Sequence, residues 1–306
     1  MSNEILKNNI VYSKGNNGLF MMFSSKHLDE CVKTFNLENI EGASFGYSML
    51  DDGYNEDNLN ILKKIQAKRI IVNPFSIKDF KGINSQHELI FLRIFNDPVT
   101  TELDFSNFSK IEVFEGYHTK YLKNLFSNKS LKKLRLWQYQ SSTGDLSDLA
   151  GLENLEELNI IQSNIKSCKG LEGLKKLKKI GLAYNKNLET FTDGKPVYQL
   201  EEFEIEVCKK LDLATLQGVG KLRTLKVINN GKMVSLEPII KQLPSLYKLQ
   251  FTEGELTESN NLYLLQHPTL KEVWLSDKKH YMLKTKEINE ALKDTEKKKL
   301  ILKRNR

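Results

Sequence analysis

Between residues 108 and 275 the apolar positions of this chain keep one recurring order: a bulky residue, two variable ones, a second bulky residue, one variable, and a third. The order is read at Phe108, Ile111 and Val113; at Leu131, Leu134 and Leu136; at Leu155, Leu158 and Ile160; and at Leu177, Ile180 and Leu182. It continues at Leu200, Phe203 and Ile205; at Leu222, Leu225 and Val227; at Leu246, Leu249 and Phe251; and at Leu270, Val273 and Leu275. Successive starts lie 22 to 24 residues apart. The end of each unit alternates as a strand does, with every second side chain on one face. A unit this small cannot bury its apolar face alone, so a period held this long predicts a solenoid whose coils pack on their neighbours. The expected fold is α/β: short parallel strands on one side and a mixture of short helices, 3-10 turns and loops on the other.

Weaker repeats thread upstream at Gly42, Phe45 and Tyr47, at Ala67, Ile70 and Val72, and at Leu89, Leu92 and Ile94. Helical periodicity runs over 58–65 and 120–126, and the tight connection Leu146–Leu152 suggests a single turn. Residues 1–41 leave the repeat. Ile10–Ser13 and Leu19–Phe23 flank a Gly-containing loop and predict a hairpin, and Leu28, Cys31, Val32 and Phe35 line one helix face. Such a segment suits an end cap, because the first coil's edge and apolar core must be covered. After Leu275, the residues Leu283, Ile288 and Leu292 suggest a capping helix. Thr295–Arg306 reads as a mobile basic end in which Leu300–Leu302 can dock. The expected organisation is one domain over 1–306, with a cap at 1–41, repeats at 42–278, and a cap and tail at 279–306.

Charge changes this picture little. The chain of 306 residues carries +7, and Lys278–Arg306 alone holds 11 Lys/Arg against 4 Asp/Glu, so residues 1–277 are neutral. A basic tail is not a basic groove, which makes nucleic-acid binding a weak inference. Three scattered cysteines, Cys31, Cys168 and Cys208, make no disulfide framework and fit a reducing compartment. No run of about 18 apolar residues marks a membrane span, and the N-terminus lacks an apolar signal region. The expectation is a soluble, cytoplasmic protein.

The run from Leu171 through Leu174, Leu177, Ile180 and Leu182 to Asn185 closely resembles the short leucine-rich repeat class of about 22–24 residues, seen in bacterial internalin-like proteins and phosphatase-1 regulatory subunits. The resemblance covers about 108–278 closely and 42–107 loosely. It implies a horseshoe with a parallel, concave sheet and a non-enzymatic protein-binding role. The Asn that closes each strand in this class is present at Asn185 and Asn230. Gly116, Tyr139, Ser163, Cys208, Gly254 and Lys278 stand in its place elsewhere. A composition rich in Lys and Asn and poor in Arg suggests an AT-rich bacterial genome. Bacterial proteins of this appearance include cytosolic immunity proteins that neutralise a toxin, and secreted effectors.

Chemistry-bearing motifs are few. His27, His87, His118, His267 and His280 have no metal-ligand spacing, and no metal or cofactor is expected. Gly218-Val-Gly220-Lys221 lacks the spacing of a phosphate loop, and the acidic stretch Asp51–Asp57 does not match a calcium loop. Glu202, Glu204 and Glu206 share one strand face, but Lys179 and Lys226 on neighbouring strands predict ion pairing there rather than acid–base catalysis. No enzyme is expected.

Binding is expected on the outward face of the sheet. There the repeat order places Phe95, Phe114, Trp137 and Ile161 in one row, with Arg93, Glu112, Arg135 and Asn159 beside them. Phe91, Lys110, Lys133 and Glu157 stand in the next column. An aromatic row rimmed by charge is the usual composition of a partner-binding site, and Trp and Arg are enriched among hot spots. Two other readings fit the same letters: the aromatics stabilise the sheet by contacting one another, or the early register hides Phe95 inside. The expected partner is a protein, with a cognate toxin as its most concrete form. The alternative is a nucleic-acid or anionic-surface binder that uses the basic tail.

Overall fold

The computed structural model describes residues 3–7, 10–15, 17–73, 76–95, 98–192 and 195–304. They fall into two compact units, Met1–Tyr139 and Gln140–Arg306.

The first unit opens with an antiparallel meander of β1 (Asn3–Lys7), β2 (Ile10–Gly15) and β3 (Gly18–Phe23), followed by helix α1 (Leu28–Leu37), which buries Cys31 and Phe35. Next come β4 (Gly42–Gly46), β5 (Arg69–Asn73), β6 (Phe91–Ile94), β7 (Leu103–Asp104), β8 (Val113–Tyr117), β9 (Leu122–Lys123) and β10 (Lys133–Trp137). Strands β4, β5, β6, β8 and β10 add to β3 one after another, all parallel. The two-residue strands β7 and β9 pair separately. The helical segments expected at 58–65 and 120–126 are 3-10 turns, Asn60–Lys64 and Leu125–Ser127, tight enough to turn Leu62 and Leu125 into the core.

Strand pairing displaces two of the expected repeats. Leu92, Phe114 and Leu134 stand side by side, so the inward set is Ile111, Phe114 and Gly116, and Val113 turns outward. Steps from Leu89 to Leu131 thereby become 22 and 20 instead of 19 and 23. The larger ring wins the interior: Phe114 packs edge-on to Phe105 with centroids 4.9 Å apart. Gly116 complements it, since a Cβ there would lie 2.9 Å from Phe114 Cζ. Upstream, Ala43 and Phe45 align with Ile70 and Val72, which leaves Tyr47 in solvent.

The second unit contains β11 (Glu157–Ile161), β12 (Lys179–Ala183), β13 (Glu202–Glu206), β14 (Thr224–Met233), α2 (Glu237–Ile240), β15 (Lys248–Leu256), α3 (Tyr263–Gln266) and β16 (Glu272–Leu275). These strands too are parallel and paired in chain order. The expected inward residues Leu155, Leu158, Ile160, Leu177, Ile180 and Leu182 are all buried. Helix α4 (Thr285–Lys293) caps the last strand and buries Ile288, Ala291 and Leu292. The basic end is helical: α5 (Thr295–Arg304) has no buried residue and leaves Leu300 56% exposed.

Polar side chains tie adjacent coils together within each unit. Gln86 donates to Leu62 O and Ile65 O and accepts from Ala67 N, and Asn128 donates to Phe105 O and Phe108 O. In the second unit, Asn185 accepts from Ser163 N and donates to Ile160 O, and Asn230 accepts from Cys208 N at 2.6 Å. Cys208 takes the asparagine's place through a 3.5 Å contact with Leu182 O, and burial pushes its thiol pKa up, as suits an inert structural cysteine.

Candidate protein-binding face

From β10 to β15, each strand leaves its outward row through a residue in the left-handed region. Gln138 follows Trp137, and Gln162, Tyr184, Val207, Asn229 and Glu253 follow Ile161, Ala183, Glu206, Ile228 and Thr252, all with φ between 51° and 57°. This conformation reverses the side-chain alternation and sends the next residue back into the core. It therefore closes the outward row at the same position in every one of these repeats.

In the first unit the outward side chains form three columns. Arg69, Phe91, Val113 and Lys133 make the first; Ile71, Arg93, Glu115 and Arg135 the second; Phe95, Tyr117 and Trp137 the third. Trp137 is the hub of the third column, with ring centroids 6.1 Å from both Phe95 and Tyr117. All three rings are half-buried. Such pairs contribute about 0.5–1.5 kcal/mol beyond burial, so the row is pre-assembled before any partner arrives. Phe91 is nearly covered, by Phe20 at 6.2 Å on one side and by the Arg93 guanidinium 5.4 Å from its ring on the other. Arg93 also lies 5.1 Å from the Phe95 ring and binds Glu115 at 2.6 Å. Arg135 lies 5.9 Å from the Trp137 ring.

Of the residues expected on this face, Arg93, Phe95, Lys133, Arg135 and Trp137 stand in its columns, and Phe91 lies beneath Arg93. Phe114 and Glu112 do not. Phe114 is 0% exposed, because the displaced register turns it into the core, and Tyr117 occupies the place expected for it. Glu112 precedes β8 and pairs with Lys132 at 2.6 Å. Tyr117 and Glu115 escape a reading of the sequence that starts the repeat at Phe108. The signal that finds them is the 19-residue step, too short for this period.

Asn159 and Ile161 lie on the outward face of the second unit. Asn159, half-buried, donates to Glu157 Oε1 at 3.2 Å and stands opposite Gly181, whose missing Cβ leaves room for it; Ile161 stands beside Ala183. Farther along, Glu202 pairs with Lys179 at 3.5 Å, Glu204 with Lys226 at 2.7 Å, and Glu206 accepts from Tyr184 OH at 2.9 Å. Each carboxylate of that row already has a partner, as expected for cross-strand pairing. Trp274, 51% exposed on β16, is a second outward indole that the repeat order did not bring forward; it donates to Glu272, whose carboxyl Lys248 and Trp274 together hold below the usual range. Among the described residues no group of three or more His, Cys, Asp or Glu is placed to hold a metal ion, and no helix is long and apolar enough to cross a membrane.

No family model matches this chain, and no curated protein matches it. Solved structures do resemble it. A leucine-rich repeat protein of Leptospira interrogans aligns at TM-score 0.49 and 16% identity, covering 85% of this chain and 72% of that one. Internalin C2 of Listeria monocytogenes aligns at TM-score 0.41 and 21% identity, covering 75% and 87%. The functional domain of InlJ from the same organism aligns at 0.44 and 16%, covering 83% of this chain, which spans 65% of that domain's length. In this chain itself, parallel strands paired in chain order, 3-10 turns and inward leucines at this period make the leucine-rich repeat solenoid.

Proposed function

We propose that this chain is a non-enzymatic protein-binding module that receives a partner protein on the outward face of its first unit. The observation that carries the reading is the ring row Phe95, Tyr117 and Trp137, half-buried in mutual contact and flanked by Arg93, Glu115 and Arg135. Aromatic and arginine side chains supply most of the energy in protein interfaces, and these stand on paired strands that lose little freedom on binding. The most concrete form of the proposal is a cytosolic bacterial immunity protein that neutralises a toxin. Support for that form is compositional: the three cysteines are free and buried, and the chain resembles short bacterial repeats.

The test is capture of the partner from the native host with the full chain, followed by titration of the purified partner against wild type, Trp137→Ala and Glu206→Gln. Trp137→Ala is expected to cost at least about 2 kcal/mol of binding, and Glu206→Gln nothing measurable. The opposite result would move the site to the second unit. A steep fall in affinity with salt, insensitive to Trp137, would favour the basic helix α5 and an anionic partner.

A further inference from the structure

Resting on the reading of this face as a protein-binding site, we propose that its partner presents a carboxylate to Arg135, carried by an Asp or Glu beside an apolar side chain. Arg93, Glu115 and Arg135 stand side by side on three neighbouring strands, so one carboxylate lies between two guanidinium groups. Glu115 is committed to Arg93, at 2.6 Å, and the side chains of that pair are only 21% and 15% exposed. Arg135 is left over. Among the described residues it has no hydrogen bond and no ion pair, and its Nε is buried without an acceptor. Its one contact of note is the Trp137 ring.

A cation in this state has lost part of its hydration without gaining a protein acceptor, and an incoming carboxylate can restore it. A planar guanidinium suits that acceptor, because its parallel N–H groups match two carboxylate oxygens. Charge points the same way: the outward columns of the first unit hold four cations, Arg69, Arg93, Lys133 and Arg135, and one carboxylate, Glu115. The rings of Trp137, Tyr117 and Phe95 begin beside Arg135, which is why the acidic residue is expected to carry an apolar neighbour. Phosphate recognition draws on clustered arginines, whereas here a single guanidinium is left uncommitted, so a carboxylate is the better match.

The experiment uses a phage-displayed library of random dodecapeptides selected on the full-length protein. Enriched peptides are synthesised and titrated against wild type, Arg135→Gln, Arg135→Lys and Trp137→Ala, with melting curves checking that each variant folds. Enriched sequences are expected to share an Asp or Glu next to an apolar residue. Arg135→Gln should weaken them about tenfold or more, and Arg135→Lys less. Replacing the peptide's carboxylate by its amide should weaken wild type equally and leave Arg135→Gln unchanged, which is the signature of a direct pair. An amide penalty of the same size in both proteins, or a phosphoserine peptide that binds more tightly than its Glu counterpart, would overturn the carboxylate. If Trp137→Ala abolishes binding while Arg135→Gln does not, the face stands and only its acidic specificity falls. Peptides indifferent to both residues, or no enrichment at all, would overturn both readings.

Discussion

Asn289 holds both backbone groups of Val273: its Oδ1 accepts from Val273 N at 2.9 Å and its Nδ2 donates to Val273 O at 2.7 Å. One helical turn earlier, Thr285 accepts from Leu275 N at 3.2 Å. Two side chains four residues apart on α4 thus stand where the next strand's backbone would be. An unpaired edge is a template for association, and this one is closed by a helix. Asn289→Ala would leave a donor and an acceptor unmatched, each costing about 1–3 kcal/mol. Urea unfolding should therefore register a loss of about 2 kcal/mol or more. A loss below about 0.5 kcal/mol would mean that water replaces the amide without penalty.

Phe114 and Trp137 should separate stability from binding. Phe114→Ala empties a site packed against Phe105 and should cost about 3–5 kcal/mol, while Leu158→Ala in the second unit should cost about 2–5 kcal/mol. Trp137→Ala loses contacts with two half-buried rings and should cost closer to about 1 kcal/mol. Chemical denaturation of the three variants checks the order. A Trp137→Ala loss as large as that of Phe114→Ala would place the indole in the core rather than on the face.

His267 should make the protein acid-sensitive. The buried imidazole lies 3.1 Å from Leu243 O through Nε2 and accepts from Leu270 N at 3.2 Å through Nδ1, an arrangement that requires the neutral ring. Burial lowers its pKa from 6.5 in the folded chain. The unfolded chain then binds the proton first, so stability is complete above about pH 6.5 and is lost as pH falls toward the folded value. Melting temperature measured from pH 7.5 to pH 5 should fall more steeply for wild type than for His267→Gln. Parallel curves would remove His267 as the cause.

Deleting the chain from Lys297 onward should leave the solenoid folded, because no residue of α5 is buried and its ion pairs, Lys297 with Glu290 and Lys299 with Glu296, are exposed. The melting temperature should stay within about 4 °C of the full chain, equivalent to roughly 1 kcal/mol. Retention on heparin should drop at the same time, since the excess positive charge lies in this end. Unfolding of the truncated chain would make α5 part of the C-terminal cap.

The sequence alone determined the solenoid, the inward leucines from Leu131 to Leu275, the hairpin and helix at the start, the helix after Leu275 and the pairing of Glu202 and Glu204 with lysines. These follow from a period of 22 to 24 residues and from alternation along a strand, both of which are local properties of the chain. Only the tertiary structure decided which side chains the outward face of the first unit contains. Val113 and Phe114 are adjacent and both apolar, so either could turn inward, and a one-residue slip sends every side chain of the strand to the other face. Pairing of Phe114 with Leu92 and Leu134, and the space left by Gly116, settled that choice and brought Tyr117 beside Trp137. The state of Arg135 was equally out of reach of the sequence. Which of two arginines Glu115 takes depends on distances across three strands, and no local pattern encodes them.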